Sequence, residues 1–162
     1  MKFLIIVQDL RVSGTSEGIV SRSFIAKLRA VYPNSVIDVV YLKNHNNEDC
    51  FEKLPIDSIL DVYISREIPM HIKFLNKFYW RLFHKSLNEI YINKKHSKII
   101  GKINYNQYDH IFVRSSGLEY ETIRALKGLP ILNKTIINFH DPYPVFWDTG
   151  SSKSLTNLEL FR

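Results

Sequence analysis

An α/β fold built on a parallel sheet is predicted by three apolar runs that each pass straight into a polar loop. They are Lys2-Phe3-Leu4-Ile5-Ile6-Val7, Tyr108 to Arg114, and Thr135 to Phe139. The first is apolar from Phe3 to Val7 and β-branched in part, with polar residues at once on either side, which reads as a strand buried on both faces and so central in its sheet. The loops that follow are Gly14 to Glu17, Arg114 to Gly117 and His140 to Pro144. Crossover connections are right-handed and keep such strands parallel, so the three loops are expected to share one sheet edge. The predicted architecture is a Rossmann-like parallel sheet flanked by helices.

After the first strand and its loop, Ile19, Phe24, Ile25, Leu28 and Tyr32 recur at helical spacing while Arg22, Lys27 and Arg29 fall elsewhere. Pro33-Asn34 ends this helix and Val36 to Leu42 reads as the second strand. Asn44 to Asp57 is polar and acidic, contains Pro55, and is expected to be a mobile loop. Ile59 to Ile64 alternates weakly and reads as a short strand. From Pro69 to Ile103 the pattern is helical, with Leu75, Phe78, Tyr79, Leu82, Phe83, Leu87, Ile90 and Tyr91 on an expected core face. Leu118 to Leu126 is the next helix, stopped at Gly128-Leu129-Pro130.

The chain has 162 residues, about one domain, and its 45% hydrophobic and 13% aromatic content suffices for a core. The opening apolar run stops at Gln8-Asp9, short of a signal peptide's apolar region. No later run approaches the ~20 apolar residues of a membrane span. Cys50 is the only cysteine, so neither an internal disulfide nor a cysteine-based metal site is expected. A cytoplasmic protein without metal is the economical reading.

The net charge of +6 is local. Residues 66–102 carry nine basic side chains and two acidic ones, while the rest of the chain is almost neutral. Lys73, Lys77, Arg81, Lys85, Lys94, Lys95, Lys98 and Lys102 lie off the expected core face, and Phe74, Trp80 and Ile92 are left over beyond one stripe. Two readings stand side by side for residues 73–102. One is an anionic membrane surface as partner, placing the protein peripherally at the inner face; the other is a solvated lysine face on an ordinary core helix. Nucleic acid is not expected as a partner, because no base-stacking motif accompanies the basic charge.

The first loop, with Gly14, Thr15, Ser16 and Glu17, suits anion reception, since free backbone N–H groups at a helix start favour a phosphate or a sugar hydroxyl. It carries neither G-x-G-x-x-G nor a Gly-Lys-Ser/Thr triplet. A plain helix cap by Thr15 or Ser16, with a turn at Gly14, is the competing reading. His140 at a strand end, followed by Asp141, Pro142 and Pro144, is either a structural histidine or a hydrogen-bonding and proton-handling group. Tyr143, Phe146 and Trp147 either stack on a sugar ring or close the sheet edge.

Taken together, the glycine loop, Tyr108-Asp109-His110-Ile111-Phe112-Val113-Arg114-Ser115-Ser116, the Gly128-Leu129-Pro130 turn and Phe139-His140-Asp141-Pro142 resemble the N-terminal half of a GT-B glycosyltransferase of the large group 1, family 4-like class. The resemblance spans nearly the whole chain through short motifs. It implies one half of a GT-B architecture, with residues 1–162 as the acceptor-side domain. The nucleotide-sugar-binding domain is then expected beyond Arg162, where a helical pattern of Leu155, Leu158 and Phe161 is still running. The implied activity is transfer, with retention, of a sugar from a nucleotide-sugar donor to a glycan or lipid-linked acceptor, with no further cofactor. His140 and Asp141 are implied as catalytic, Asp141 bracing the turn. Gly14, Thr15, Ser16, Glu17, Arg114, Ser115, Ser116 and Tyr143 are implied as substrate-binding. The usual Gly-Gly pair is absent, and Arg114-Ser115-Ser116 stands where many relatives carry a histidine. The alternative class is a stand-alone flavodoxin-like module that binds phosphate or nucleotide without transferring sugar.

Overall fold

The structure, a computed structural model, describes residues 1–13, 15–46, 49–114 and 121–138. Within them the elements are β1 (Lys2–Val7), α1 (Ser16–Val31), β2 (Val36–Lys43), β3 (Ser58–Tyr63), α2 (Met70–Phe83), α3 (Leu87–Ile100), β4 (His110–Arg114), α4 (Glu121–Arg124) and β5 (Thr135–Asn138). The strands form one sheet in the order β3-β2-β1-β4-β5, and every neighbouring pair is parallel. The α/β, Rossmann-like fold expected from the apolar runs is therefore present. The order is the 3-2-1-4-5 of dinucleotide-binding sheets, whereas flavodoxin-like sheets run 2-1-3-4-5. The flavodoxin-like topology of the alternative reading is thus corrected.

β1 sits at the centre because it can be covered on both sides. Phe3, Ile5 and Val7 face one layer with Ile37, Val39, Tyr41 and Ile25, and Phe24 and Leu28 of α1 pack against that cluster. Leu4 and Ile6 face the other with Val40, Leu42, Ile111 and Val113, where Ile100 of α3 joins Ala125, Leu126 and Ile131. Alternate side chains of a strand point to opposite faces, so one apolar run serves two cores. Val7 pairs in register with Arg114, and Arg114 with Asn138, so the carboxyl ends of β1, β4 and β5 lie along one edge.

The basic region departs from expectation. Instead of one helical stretch from Pro69 to Ile103, two helices meet at a break. His84 takes a left-handed conformation (φ 50°) that ends α2, and the Ser86 hydroxyl accepts from the Glu89 amide to cap α3. Asn76 reinforces the corner, its side-chain oxygen accepting from the Leu87 amide at 2.7 Å. Only α3 reaches the sheet: Ile92, His96 and Ile100 are buried, whereas α2 has no buried residue and rests on α3. Leu75, Phe78, Leu82 and Phe83, expected in the core, are instead 52%, 57%, 73% and 57% exposed, and Ile92, left over in the sequence pattern, is core. Helical periodicity specifies a stripe but not which neighbour covers it.

The segment after β2, expected to be mobile, is tied down over residues 49–57. The Arg22 guanidinium donates to the carbonyls of Asp49 and Cys50, Tyr41 donates its hydroxyl to Asp49, and Arg29 donates to the Pro55 carbonyl.

Truncations should separate the real core from the expected one. Ile100→Ala removes a buried side chain and should cost about 2–5 kcal/mol in urea unfolding, while Phe78→Ala should fall within about 0.5 kcal/mol of the parent.

Candidate functional site at the carboxyl edge of the sheet

Strand order reverses at β1: the chain proceeds outward to β2 and β3, then returns past β1 to β4. Open α/β sheets take ligands at such a reversal point, outside the carboxyl ends of the strands. At this edge the apolar run gives way to buried polar side chains, an arrangement that costs free energy unless each is partnered. Gln8, Asp9, Ser21, His96, Arg114, Glu121 and Thr122 are all buried.

The loop after β1 is held by three devices. The Asp9 carboxylate accepts from the backbone N–H of Arg11 at 2.9 Å and from its guanidinium Nε at 3.1 Å through both oxygens. Burial pushes the Asp9 carboxyl up, but the hydrogen bonds and charge of Arg11 outweigh it and hold the group below the ordinary carboxylate value. Arg22 reaches from α1 to donate to the Leu10 carbonyl at 3.1 Å. Thirdly, Gly18 lets the loop lie on the first turn of α1. A Cβ there would stand 2.5 Å from the Arg11 carbonyl oxygen and 2.8 Å from its nitrogen. Nothing local in the sequence shows that backbone passes over this glycine.

Arg114, at the end of β4, lies on the floor of the edge. Its Nε donates to the Ser21 hydroxyl at 3.4 Å, and its guanidinium carbon sits 4.8 Å from the Phe24 ring centroid. Burial lowers its pKa from the ordinary arginine value. On the α3 side of the sheet, Glu121 organises a second polar group: Gln8 donates to one carboxylate oxygen at 3.1 Å and Arg66 to the other at 3.0 Å. His96 Nδ1 lies 3.1 Å from the Ile92 carbonyl, which fixes its proton on that nitrogen. Nε2 then presents a lone pair toward Glu121 across 3.9 Å, too far for a hydrogen bond. Burial depresses the imidazole pKa, and the charges of Arg66 and Lys95 add to this while the Ile92 carbonyl opposes it. His96 is therefore a neutral imidazole facing a carboxylate. The adjoining cavity of about 190 Å³ is lined by Arg66, Ile68, Asn88, Glu89, Ile92, Glu121 and Arg124, room for one end of a ligand rather than the whole. Neither Glu121 nor His96 was singled out from sequence, since Glu121 meets Gln8 and Arg66, and His96 faces Glu121, across tens of residues.

Of the site residues expected from sequence, Thr15 caps α1, its hydroxyl accepting from the Gly18 amide at 3.3 Å. Ser16 is exposed and donates to Glu17 at 3.2 Å, and Glu17 lies half-buried in the first turn, where a carboxylate is favoured by the helix dipole. Arg114 ends β4 and reaches Ser21 of that same helix, so it and the first-turn residues share the edge. Gly14, Ser115, Ser116, His140, Asp141 and Tyr143 lie outside the described residues. Among those that are described, no three His, Cys, Asp or Glu side chains are grouped to hold a metal ion. Comparison of the chain with models of protein families, with curated proteins and with solved structures finds no match.

Two outcomes test this account of the edge. Gly18→Ala should destabilise the fold by roughly 1–3 kcal/mol in denaturant titration, the range for overpacking against a neighbour that cannot move aside. As to pH, the folded chain resists protonating His96 while the unfolded chain accepts the proton near pH 6.5. Stability should therefore fall as pH drops below about 6.5, and His96→Gln should flatten the thermal-unfolding profile between about pH 5 and 7 whatever its absolute stability.

Proposed function

We propose that this chain is the acceptor-side domain of a glycosyltransferase that moves a sugar from a nucleotide-sugar donor to a glycan or lipid-linked acceptor. The observation that supports it best is the reversal of strand order at β1, at whose carboxyl edge stand a buried cation, Arg114, and two acceptors, Glu121 and His96. A cation suits donor phosphate, and carboxylate and imidazole acceptors suit sugar hydroxyls. The short motifs that resemble the GT-B group 1 class add His140 as the residue that would meet the reacting sugar, with Asp141 bracing its turn.

In the protein that carries the domain, transfer from uridine- or guanosine-diphosphate sugars should be measurable as nucleotide release. Arg114→Met, which keeps the contact with Phe24 and removes the charge, should lower that rate about tenfold to a hundredfold, the worth of one hydrogen bond to a charged group, without lowering the melting temperature. Residues 1–162 alone should transfer no sugar and bind such donors more weakly than micromolar in calorimetry. Micromolar binding by this chain would favour a self-contained nucleotide-binding module instead.

A further inference from the structure

We propose that the outward face of α2 docks on an anionic lipid bilayer. Six large apolar side chains of this one helix stand in solvent: Met70 at 85% exposure, Leu82 at 73%, Phe74 at 61%, and Phe78, Phe83 and Leu75 above half. Met70, Phe74, Phe78 and Leu82 are spaced four apart and form a single row, with the Phe74 and Phe78 rings in edge contact at 5.5 Å. The helix is about 21 Å long, and neither sheet core includes any of its residues. Such a patch is far more than the scattered apolar exposure that any soluble surface carries.

What covers the patch is argued from charge. Lys73, Lys77 and Arg81 run in an exposed row directly alongside the apolar one, and Lys85 follows the helix end. No acidic residue occurs between Glu67 and Glu89. An apolar row beside a cationic row matches the two layers of a membrane interface, acyl boundary and anionic headgroups. A second copy of this face fits poorly, because closing one apolar row on another brings two cationic rows together. The solvated-lysine reading accounts for the cations but leaves the phenylalanines in water. No helix among the described residues is long and apolar enough to cross a membrane, so the contact is interfacial. It is confined to α2, since α3 spends its apolar residues on the sheet. The inference does not depend on what the carboxyl edge binds.

The test is flotation of the full chain with vesicles of phosphatidylcholine alone and of phosphatidylcholine mixed with phosphatidylglycerol, at low and high salt. The chain should float with the anionic vesicles at low salt and be released by salt or by omission of phosphatidylglycerol. Neutralising Lys73, Lys77 and Arg81 to Gln should weaken partitioning about a hundredfold, roughly fivefold per charge. Phe74→Glu with Phe78→Glu should abolish it while circular dichroism and melting temperature stay unchanged, because both side chains are outside the core. Equal binding to both vesicle types, or persistence of binding in the double glutamate variant, would overturn the proposal. So would indifference to vesicles combined with a concentration-dependent dimer that the double variant dissociates, or with salt-sensitive retention on duplex DNA.

Discussion

Burial of β1 on both faces is the constraint on which the rest depends. A strand whose every side chain from Phe3 to Val7 is at most 2% exposed must have a layer above it and a layer below it. α1 provides one, and α3 with α4 the other. The chain meets this demand by going out to β3 on one side of β1 and coming back past it to β4, which is what reverses the strand order. The reversal point is thus a consequence of how the central strand is covered. Polar residues can appear only where the strand runs out of the layers, and Gln8 and Asp9 follow Val7 without a spacer.

Once polar groups are forced into that edge, their partners decide its shape. A buried carboxylate without a cation would lose its hydration with nothing in return. Asp9 is met by Arg11 two residues on, which folds the loop back on itself, and that tight loop can lie against α1 only because Gly18 has no Cβ. Glu121 is met by Gln8 from the end of β1 and by Arg66 from the segment between β3 and α2. Asp9 thus closes its own loop, while Glu121 ties two loops remote in sequence to α4. His96 stays neutral in the same surroundings because burial and two neighbouring cations disfavour its charged form.

Much of this framework was legible in the sequence, for a physical reason that also explains what was not. β1 is almost wholly buried and β2 and β4 are largely so, which leaves apolar runs that composition reveals. The partners of Glu121 are Gln8 and Arg66, and no spacing rule reports contacts across tens of residues. The basic region was misread more instructively. Leu75, Phe78, Leu82 and Leu87 do form a helical pattern, but the break at His84 to Ser86 turns one stripe into two faces. The Ser86-Leu87-Asn88-Glu89 sequence is the S-x-x-E pattern of a helix start, a signal for that break within the longer periodicity.

The two helices divide the work that the longer stripe would have done. α3 places Ile92 and Ile100 in the interior and so completes the layer over Leu4 and Ile6. α2 is then a second layer, with its half-buried Ile72, Asn76, Tyr79 and Trp80 facing inward and its remaining large apolar residues facing out. Because α2 contributes nothing to either core cluster, its outward face can be apolar without weakening the sheet. Keeping Phe74 and Phe78 in water lowers neither the packing nor the hydrogen bonding of the fold; it lowers only solubility, which the adjacent cations restore. A face under no demand from either core that is nevertheless both apolar and cationic is the observation on which the proposed lipid contact rests.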